Sequence, residues 1–100
     1  MAKPRRILSE ALHELCDNVY FQPPTGYKLK YPCIIYEFNG LERRPADNRG
    51  YITYGIYSIQ YITRDPDDDV KLQISELPMC SMDRTFDSDN LYHYQYRIYH

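Results

Sequence analysis

The sequence predicts an α+β fold with the element order α-β-β-α-β-β, in which a four-stranded, mainly antiparallel sheet carries two helices on one face. Three observations predict it: an apolar stripe at helical spacing near the N-terminus, two pairs of segments with alternating apolar residues, and a short helical pattern between these pairs. The chain has 100 residues, of which 43% are hydrophobic and 26% are charged. These values favour a single globular domain over residues 1–100.

The first helix is predicted to begin at Pro4, because proline suits the first position of a helix, and to end near Asn18. Its apolar stripe follows the spacing i, i+3, i+4, i+7, i+8 and i+11 through Leu8, Ala11, Leu12, Leu15, Cys16 and Val19. Residues 21–26 (FQPPTG) neither continue a helix nor lie inside a sheet. We therefore predict an extended segment or a turn there, followed by a basic segment at residues 27–32.

A long β-hairpin is predicted in the middle of the chain. Residues 33–38 alternate as a first strand, and residues 51–63 form the longest strand-like run. The inward face of that run changes parity near Gly55, which predicts a bulge. Residues 39–50 (NGLERRPADNRG) are polar and rich in turn formers, and a connection of this length is usually functional or mobile.

A second helix is predicted after this hairpin, with Asp65 as its cap and Pro66 at its first position. Val70, Ile74 and Leu77 follow at i, i+4 and i+7, and the helix ends before residue 78, a proline. Two strands then cover residues 80–86 and 91–99, joined by a turn at residues 87–90. The last strand is predicted to turn Tyr92, Tyr94, Tyr96 and Ile98 inward and His93, Gln95 and Arg97 outward.

No residue cluster predicts catalysis or a metal site. The cysteines, Cys16, Cys33 and Cys80, are odd in number and lack a CxxC pair, so we predict reduced thiols. His13 and Cys16 share a helix, but Cys16 lies in the apolar stripe. Asp67, Asp68 and Asp69 fit helix capping better than a cation site, and Asp83, Asp87 and Asp89 surround a predicted turn. We therefore predict a non-enzymatic protein without a cofactor or a bound metal.

The charge pattern favours a solvated or subunit-facing surface over a nucleic-acid site. The net charge is −2, which argues against a general nucleic-acid binder. Residues 1–50 carry eight Lys and Arg against six Asp and Glu, whereas residues 51–100 carry four against eight. Opposite charges in different segments suit head-to-tail contacts between identical subunits. A small nucleic-acid-binding module that uses Lys28, Lys30, Arg43 and Arg44 remains an alternative.

The aromatic composition of the chain is unusual. The chain has twelve tyrosines and no tryptophan, which predicts a β-rich domain whose open sheet face presents tyrosines to a partner. No apolar run exceeds four residues, so we expect neither a transmembrane helix nor a signal peptide.

Four segments, in this order, resemble the small tail-terminator or tail-completion proteins of tailed bacteriophages. They are the first helix running into VYFQPP, the strand KLKYPCIIYE, the passage ADNRGYITYGIYSIQYITRDPD, and the closing LPMCSMDRTFDSDNLYHYQYRIYH. The resemblance implies a structural protein of the virion neck, assembled in the host cytoplasm. It implies a ring, typically a hexamer, that caps the head-proximal end of the tail tube, stops tube polymerisation and offers a docking surface to the head.

The resemblance also implies where contacts lie. Residues 39–50 and their flanking strands would form a projecting hairpin that meets the tube, a neighbouring subunit or the channel through which DNA passes. Candidate contacts of this kind are Arg43, Arg44, Arg49, Lys28, Lys30 and Tyr51. Candidate subunit-interface residues are Tyr20, Phe21, Tyr54 and Tyr99. The partners implied are further copies of the chain, the tail-tube protein and the head-completion or connector proteins, and an alternative is that the chain is itself a head-completion or other neck connector protein.

Overall fold

A computed structural model describes residues 4–46 and 50–100 and confirms an α+β fold with two helices. The elements are α1 (Arg5–Leu15), β1 (Val19–Phe21), β2 (Cys33–Ala46), β3 (Gly50–Thr63), α2 (Val70–Ser75), β4 (Cys80–Ser88) and β5 (Leu91–Tyr99). They form one five-stranded sheet in the order β1-β2-β3-β5-β4. β1 runs parallel to β2 and all other pairs are antiparallel, so the sheet is mixed and has one strand more than predicted.

The additional strand is β1, which the sequence did not reveal. α1 ends at Leu15, so Val19 leaves the helical stripe and pairs with Ile34 of β2. Asn18 is not the end of the helix: its backbone oxygen accepts a hydrogen bond from the Ile34 amide (2.8 Å), which starts the parallel register. Gln22 extends the edge, because its amide donates to the Tyr36 oxygen (3.0 Å) and its side-chain oxygen accepts from the Phe38 amide (3.1 Å).

Both helices pack on one face of the sheet. Leu8 and Leu12 of α1 and Ile74 of α2 are buried against alternating side chains of the central strands, namely Ile34, Tyr36, Tyr57, Ile59, Tyr61, Tyr96 and Ile98. Two of the buried tyrosines show how their hydroxyl groups are satisfied, since the Tyr96 hydroxyl donates to the Lys71 oxygen (2.7 Å) and the Tyr36 hydroxyl accepts from Arg5 (2.9 Å). A phenol buried with a satisfied hydroxyl contributes apolar area without an unpaired polar group.

The middle of the open face is mainly polar, although Cys33 and Ile62 are buried on the same face, and this corrects the prediction of an open tyrosine face. The register places Glu37, Ser58 and Arg97 side by side on that face, next to a second row of Ile35, Gln60 and Gln95. The strand periodicity of two explains the outcome: the tyrosines of β2, β3 and β5 that lie within the five-stranded region share the parity of the helix-covered positions. The predicted inward set of the last strand is confirmed for Tyr96 and Ile98, which are buried, whereas Tyr94 is half-buried and Tyr92 is exposed.

The central hairpin is longer than predicted, because most of residues 39–50 is strand rather than loop. β2 and β3 pair continuously from Cys33–Ile62 to Ala46–Gly50. The register shift lies in β2 between Phe38 and Gly40, not at Gly55. Gly55 pairs with Leu41, just beyond the shift, and a Cβ added to it would lie 2.9 Å from Cε1 of Tyr57. The predicted bulge at Gly55 is therefore wrong: β3 keeps one alternation throughout, and the extra residue is Asn39 of β2.

The predicted start of the second helix was also wrong. α2 begins at Val70, with Asp69 as its N-cap and no side-chain cap hydrogen bond. Asp65 instead accepts from the Asp67 amide (2.9 Å), so Pro66 lies within a local Asx turn. β4 extends to Ser88, and a two-residue turn follows at Asp89 and Asn90, whose φ angles of 53° and 64° match a type I′ hairpin.

Candidate interaction surface: the arm and the sheet edges

The far half of the β2–β3 hairpin projects from the domain as a two-stranded arm, which we define as Gly40–Ala46 and Gly50–Gly55. β1 covers only Ile34–Tyr36 of β2, and β5 covers only Ile56–Thr63 of β3. Within the described chain, no third strand lies beside the arm. At about 3.4 Å per residue its β2 side is about 20 Å long, which accounts for a molecule measuring 50 × 27 × 22 Å.

The described side chains of the arm are half-buried or exposed and include both apolar and basic groups. Leu41 is 61% exposed, the largest value among the exposed large hydrophobic residues, and Phe38 at the root of the arm is 45% exposed. The Arg44 guanidinium lies 3.2 Å from the Glu42 carboxylate and 5.2 Å from the centre of the Tyr99 ring. The arm therefore exposes apolar and basic side chains that are suited to binding, without a hydrophobic core of its own.

The predicted contact residues fall into two groups. Arg43 and Arg44 lie exposed on β2 of the arm, paired with Thr53 and Ile52. The backbone of Tyr51 pairs with Pro45, whereas its side chain and all of Arg49 lie outside the described residues. Lys28 and Lys30 are exposed in the segment between β1 and β2, and thus belong to a different part of the sheet edge.

Tyr20 and Phe21 of β1 already have partners within the chain. The Tyr20 ring makes an edge-to-face contact with Tyr27 (5.5 Å), and its hydroxyl accepts from the Lys30 amide (3.3 Å). Phe21 packs against Tyr36 at 5.0 Å and lies under the Arg5 guanidinium at 4.2 Å. These contacts give Phe21 a structural role in fixing β1 to α1.

Tyr54 and Tyr99 lie together at the root of the arm, beside an apolar groove of about 190 Å³. Its walls come from α1, β3, the α2–β4 connection and the end of β5, and include Ile7, Leu8, Ala11, Leu77, Met79 and Ile98. Ile7 and Met79 are 43% and 45% exposed. Sequence reasoning missed this groove because its walls derive from segments far apart in the chain.

The opposite edge of the sheet is β4, a nine-residue strand whose side chains are mostly exposed. A register shift between Met82 and Arg84 interrupts its pairing with β5, and Asp83 reaches Arg97 at 3.9 Å. Bulges and charged side chains are the usual means of protecting an exposed edge. Asp83 and Asp87 therefore lie along the edge strand and Asp89 in its turn, and they do not converge on one site.

The three cysteines are free thiols, of which Cys16 and Cys33 are buried and Cys80 is half-buried. Burial raises the pKa of the Cys33 thiol to about 12 and that of Cys80 to about 11, and it also raises the pKa of Cys16. Such thiols are protonated near neutral pH. Among the described residues, no group of three or more His, Cys, Asp and Glu is placed to hold a metal ion.

Comparisons add no identification: no family model matches the chain, and a search of curated proteins found no relative. In the described part of the chain, neither helix has the length and apolar character needed to cross a membrane.

Proposed function

We propose that this chain is a structural protein of a bacteriophage tail that forms a ring, with six copies as the expected number, on the head-proximal end of the tail tube. The observation that carries the proposal is the arm, a strand pair that leaves the domain and exposes Leu41, Phe38 and Arg44. An arm of this kind is costly for a monomer, because an isolated two-stranded ribbon is at best marginally stable in water. Contact with a neighbour or with the tube would stabilise it.

The distribution of edges and charges supports closure into a ring. The arm and β1 lie towards one side of the sheet, whereas β4 is the far edge. The arm carries Arg43 and Arg44 beside Glu42, and β4 with its turn carries Asp83, Asp87 and Asp89 beside Arg84. Two different and complementary faces on one chain make heterologous contacts, which give a closed ring when the rotation between copies closes.

In this role the chain stops tube polymerisation, offers its outer surface to head-completion proteins and leaves a lumen for DNA. The work is done by binding, and the proposal requires neither catalysis nor a cofactor. The protonated, buried thiols and the exposed acidic edge agree with such a role. Assembly also adds apparent stability by mass action, which suits a domain with a thin core.

The first test is native mass spectrometry and negative-stain microscopy of the purified chain, with and without isolated tail tubes. We expect rings in solution or caps at one end of the tubes. A monomer that ignores tubes contradicts the proposal, and binding to DNA-filled heads instead of tubes would favour a head-completion protein.

A charge-reversed variant tests the arm itself. In Arg43→Glu combined with Arg44→Glu, we expect a folded domain whose assembly onto tubes or onto other copies is weakened at least tenfold, because like charges at a contact cost about 1.4 kcal/mol or more. Assembly is measured by co-sedimentation with tubes, and folding by circular dichroism.

The matched control carries the same change in charge elsewhere, as Arg6→Glu combined with Arg64→Glu. The Arg6 side chain is 80% exposed and pairs only loosely with Glu10 at 3.9 Å. Equal loss of assembly in both variants would mean that net charge, not the arm, is responsible.

A further inference from the structure

We propose that Asn39 is a site of spontaneous covalent modification, at which the side-chain amide is lost through attack by the backbone nitrogen of Gly40. The reaction consumes water, requires no enzyme and leaves aspartate or isoaspartate at the root of the arm. The inference concerns a chemical property of β2 and holds independently of the function proposed above.

The first observation is the residue that follows Asn39. The chain has asparagine at positions 18, 39, 48 and 90, and only Asn39 precedes a glycine. Glycine has no Cβ to hinder the approach of its nitrogen to the preceding side chain, and its backbone adopts conformations that other residues avoid. Gly40 has a φ of +145°, and a Cβ built on it would meet no atom within 4 Å. The backbone nitrogen that must attack is therefore not crowded by a side chain of its own residue.

The second observation is the place of Asn39 in the sheet. Asn39 is the extra residue at the register shift of β2, so it is left without a paired residue on β3. The pairing is locally disrupted at such a position, and the backbone of the extra residue is less restrained than that of its neighbours. The side chain of Asn39 is exposed, and its amide nitrogen donates to Oγ of Ser58. Asn39 is therefore accessible to water and base although it lies within a strand.

The other two asparagines in the described chain, Asn18 and Asn90, are held differently. The half-buried Asn18 is fixed at both ends, because its backbone oxygen accepts from the Ile34 amide (2.8 Å) and its side chain donates to the Pro32 oxygen (3.1 Å). Asn90 lies in the turn between β4 and β5, and the branched side chain of Leu91 follows it. These two residues serve as internal references for the reactivity of Asn39.

The third observation is that Gly40 is the first residue of the arm. Gly40 pairs with Ile56 of β3, so its amide must leave the ladder before its nitrogen can attack. Local opening is easiest where few buried contacts surround the backbone, and the arm has no core of its own. The amide of Gly40 is therefore released more often than the amides of the packed body, such as that of Ile59.

The reaction is an acyl transfer within the chain, which proximity favours. Hydroxide removes the proton of the Gly40 amide, and the Gly40 nitrogen attacks Cγ of Asn39. The new N–Cγ bond closes a succinimide ring while the Cγ–Nδ2 bond breaks, and Nδ2 takes up a proton from water and leaves as ammonia. Water then opens the ring. Cleavage of the N–Cγ bond gives aspartate, and cleavage between the Gly40 nitrogen and the backbone carbonyl of residue 39 gives isoaspartate; no atom is oxidised or reduced.

The products change the root of the arm in two ways. Both add a negative charge close to Glu37, which pairs with Ser58, the partner of the Asn39 side chain. Like charges at neighbouring positions of a sheet are destabilising. Isoaspartate also inserts one carbon into the backbone, and strand pairing depends on an unbroken register. We therefore expect the isoaspartate form to loosen the arm.

The test follows the full, folded wild-type chain in mildly alkaline buffer by peptide mass mapping, with enzymatic methylation to detect isoaspartate. We expect Asn39 to lose its amide at least about tenfold faster than Asn18 and Asn90, and faster still as the buffer is made more alkaline. Similar rates at the three residues would overturn the proposal. A rate at Asn39 more than about 100-fold below that of the same residue in urea-unfolded chain would also overturn it, because the fold would then protect the site.

Two variants separate the chemistry from its structural effect. Asn39→Gln keeps a side-chain amide but would have to close a larger ring, so we expect its loss of ammonia to be at least about tenfold slower. Asn39→Asp supplies the charge without the extra backbone carbon. The isoaspartate chain should lose at least about tenfold in the protection of the Glu42 amide from exchange, and Asn39→Asp should lose less. Unchanged protection in the isoaspartate chain would contradict the loosening of the arm, and equal reactivity of Asn39→Gln would exclude attack by Gly40.

Discussion

At the scale of single residues, Asp68 organises the connection between β3 and α2. Its Oδ2 accepts from the hydroxyls of Tyr61 (2.7 Å) and Thr63 (3.0 Å), and its Oδ1 accepts from the Val70 amide (3.2 Å). Tyr61 and Thr63 are 1% and 2% exposed. One carboxylate thus satisfies two buried hydroxyls and an amide at the start of α2. Burial, together with the hydrogen bond from Tyr61 to Asp68, raises the pKa of the Tyr61 hydroxyl.

Asp68→Ala is expected to lower the free energy of unfolding by about 2–3 kcal/mol, because it leaves buried hydroxyl groups without an acceptor. The measurement is urea denaturation followed by circular dichroism. The control is Asp69→Ala, since the exposed Asp69 makes no side-chain cap hydrogen bond, and we expect a change within about 0.5 kcal/mol. Equal effects of the two substitutions would contradict the role given to Asp68.

At the scale of elements, the contact between the rings of Tyr57 and Phe38 and the backbone of Gly55 fixes the arm to the sheet. The two rings lie 5.3 Å apart, and a Cβ on Gly55 would come within 2.9 Å of Tyr57 and 3.6 Å of Phe38. Gly55→Ala is expected to destabilise the domain by about 1–2 kcal/mol, because the ring of Tyr57 must move. This loss exceeds the gain of about 0.4–1 kcal/mol that the substitution brings through the unfolded chain.

The double variant Gly55→Ala with Tyr57→Leu tests this explanation by thermal denaturation. The double variant should lose less free energy of unfolding than the two single variants lose in sum, because the leucine leaves room for the added methyl group. Simple additivity would mean that the close approach of Tyr57 to Gly55 is not the cause.

The helices and strands differ in how well the sequence predicts them. Helical stripes and strict alternation located α1, β5 and the central hairpin, because burial on one face imposes these periods. β1 escaped prediction since three residues are too few to show a period, and its pairing depends on Ile34, fifteen residues further along the chain. Pro45 argued against a strand at the far end of β2. The nitrogen of this proline faces away from β3, so the lack of an amide hydrogen removes no hydrogen bond from the β2–β3 ladder. The groove joins residues from 7 to 100, and no local pattern marks such a site.

At the scale of the whole molecule, the domain divides into a packed body and an arm without a core. The radius of gyration is 14.6 Å, above the roughly 13 Å typical of compact domains of this length. The body buries Tyr36, Tyr61 and Tyr96 between sheet and helices. The arm depends on its own ladder, and local stability follows the density of buried contacts.

Amide exchange should therefore separate the two parts. In dilute protein, we expect the ladder amides of Glu42 and Tyr54 to exchange at least about 100-fold faster than those of Ile59 and Tyr61, a difference of roughly 2.7 kcal/mol in opening free energy. In the proposed assembly, at high concentration or on tail tubes, protection of the Glu42 and Tyr54 amides should rise while that of the Ile59 and Tyr61 amides stays nearly constant, because the proposed contacts involve the arm and β4 but not the middle of β3. Full protection of the arm in the monomer would show that it needs no partner. A uniform rise throughout the chain would place the stabilising contact on the body instead.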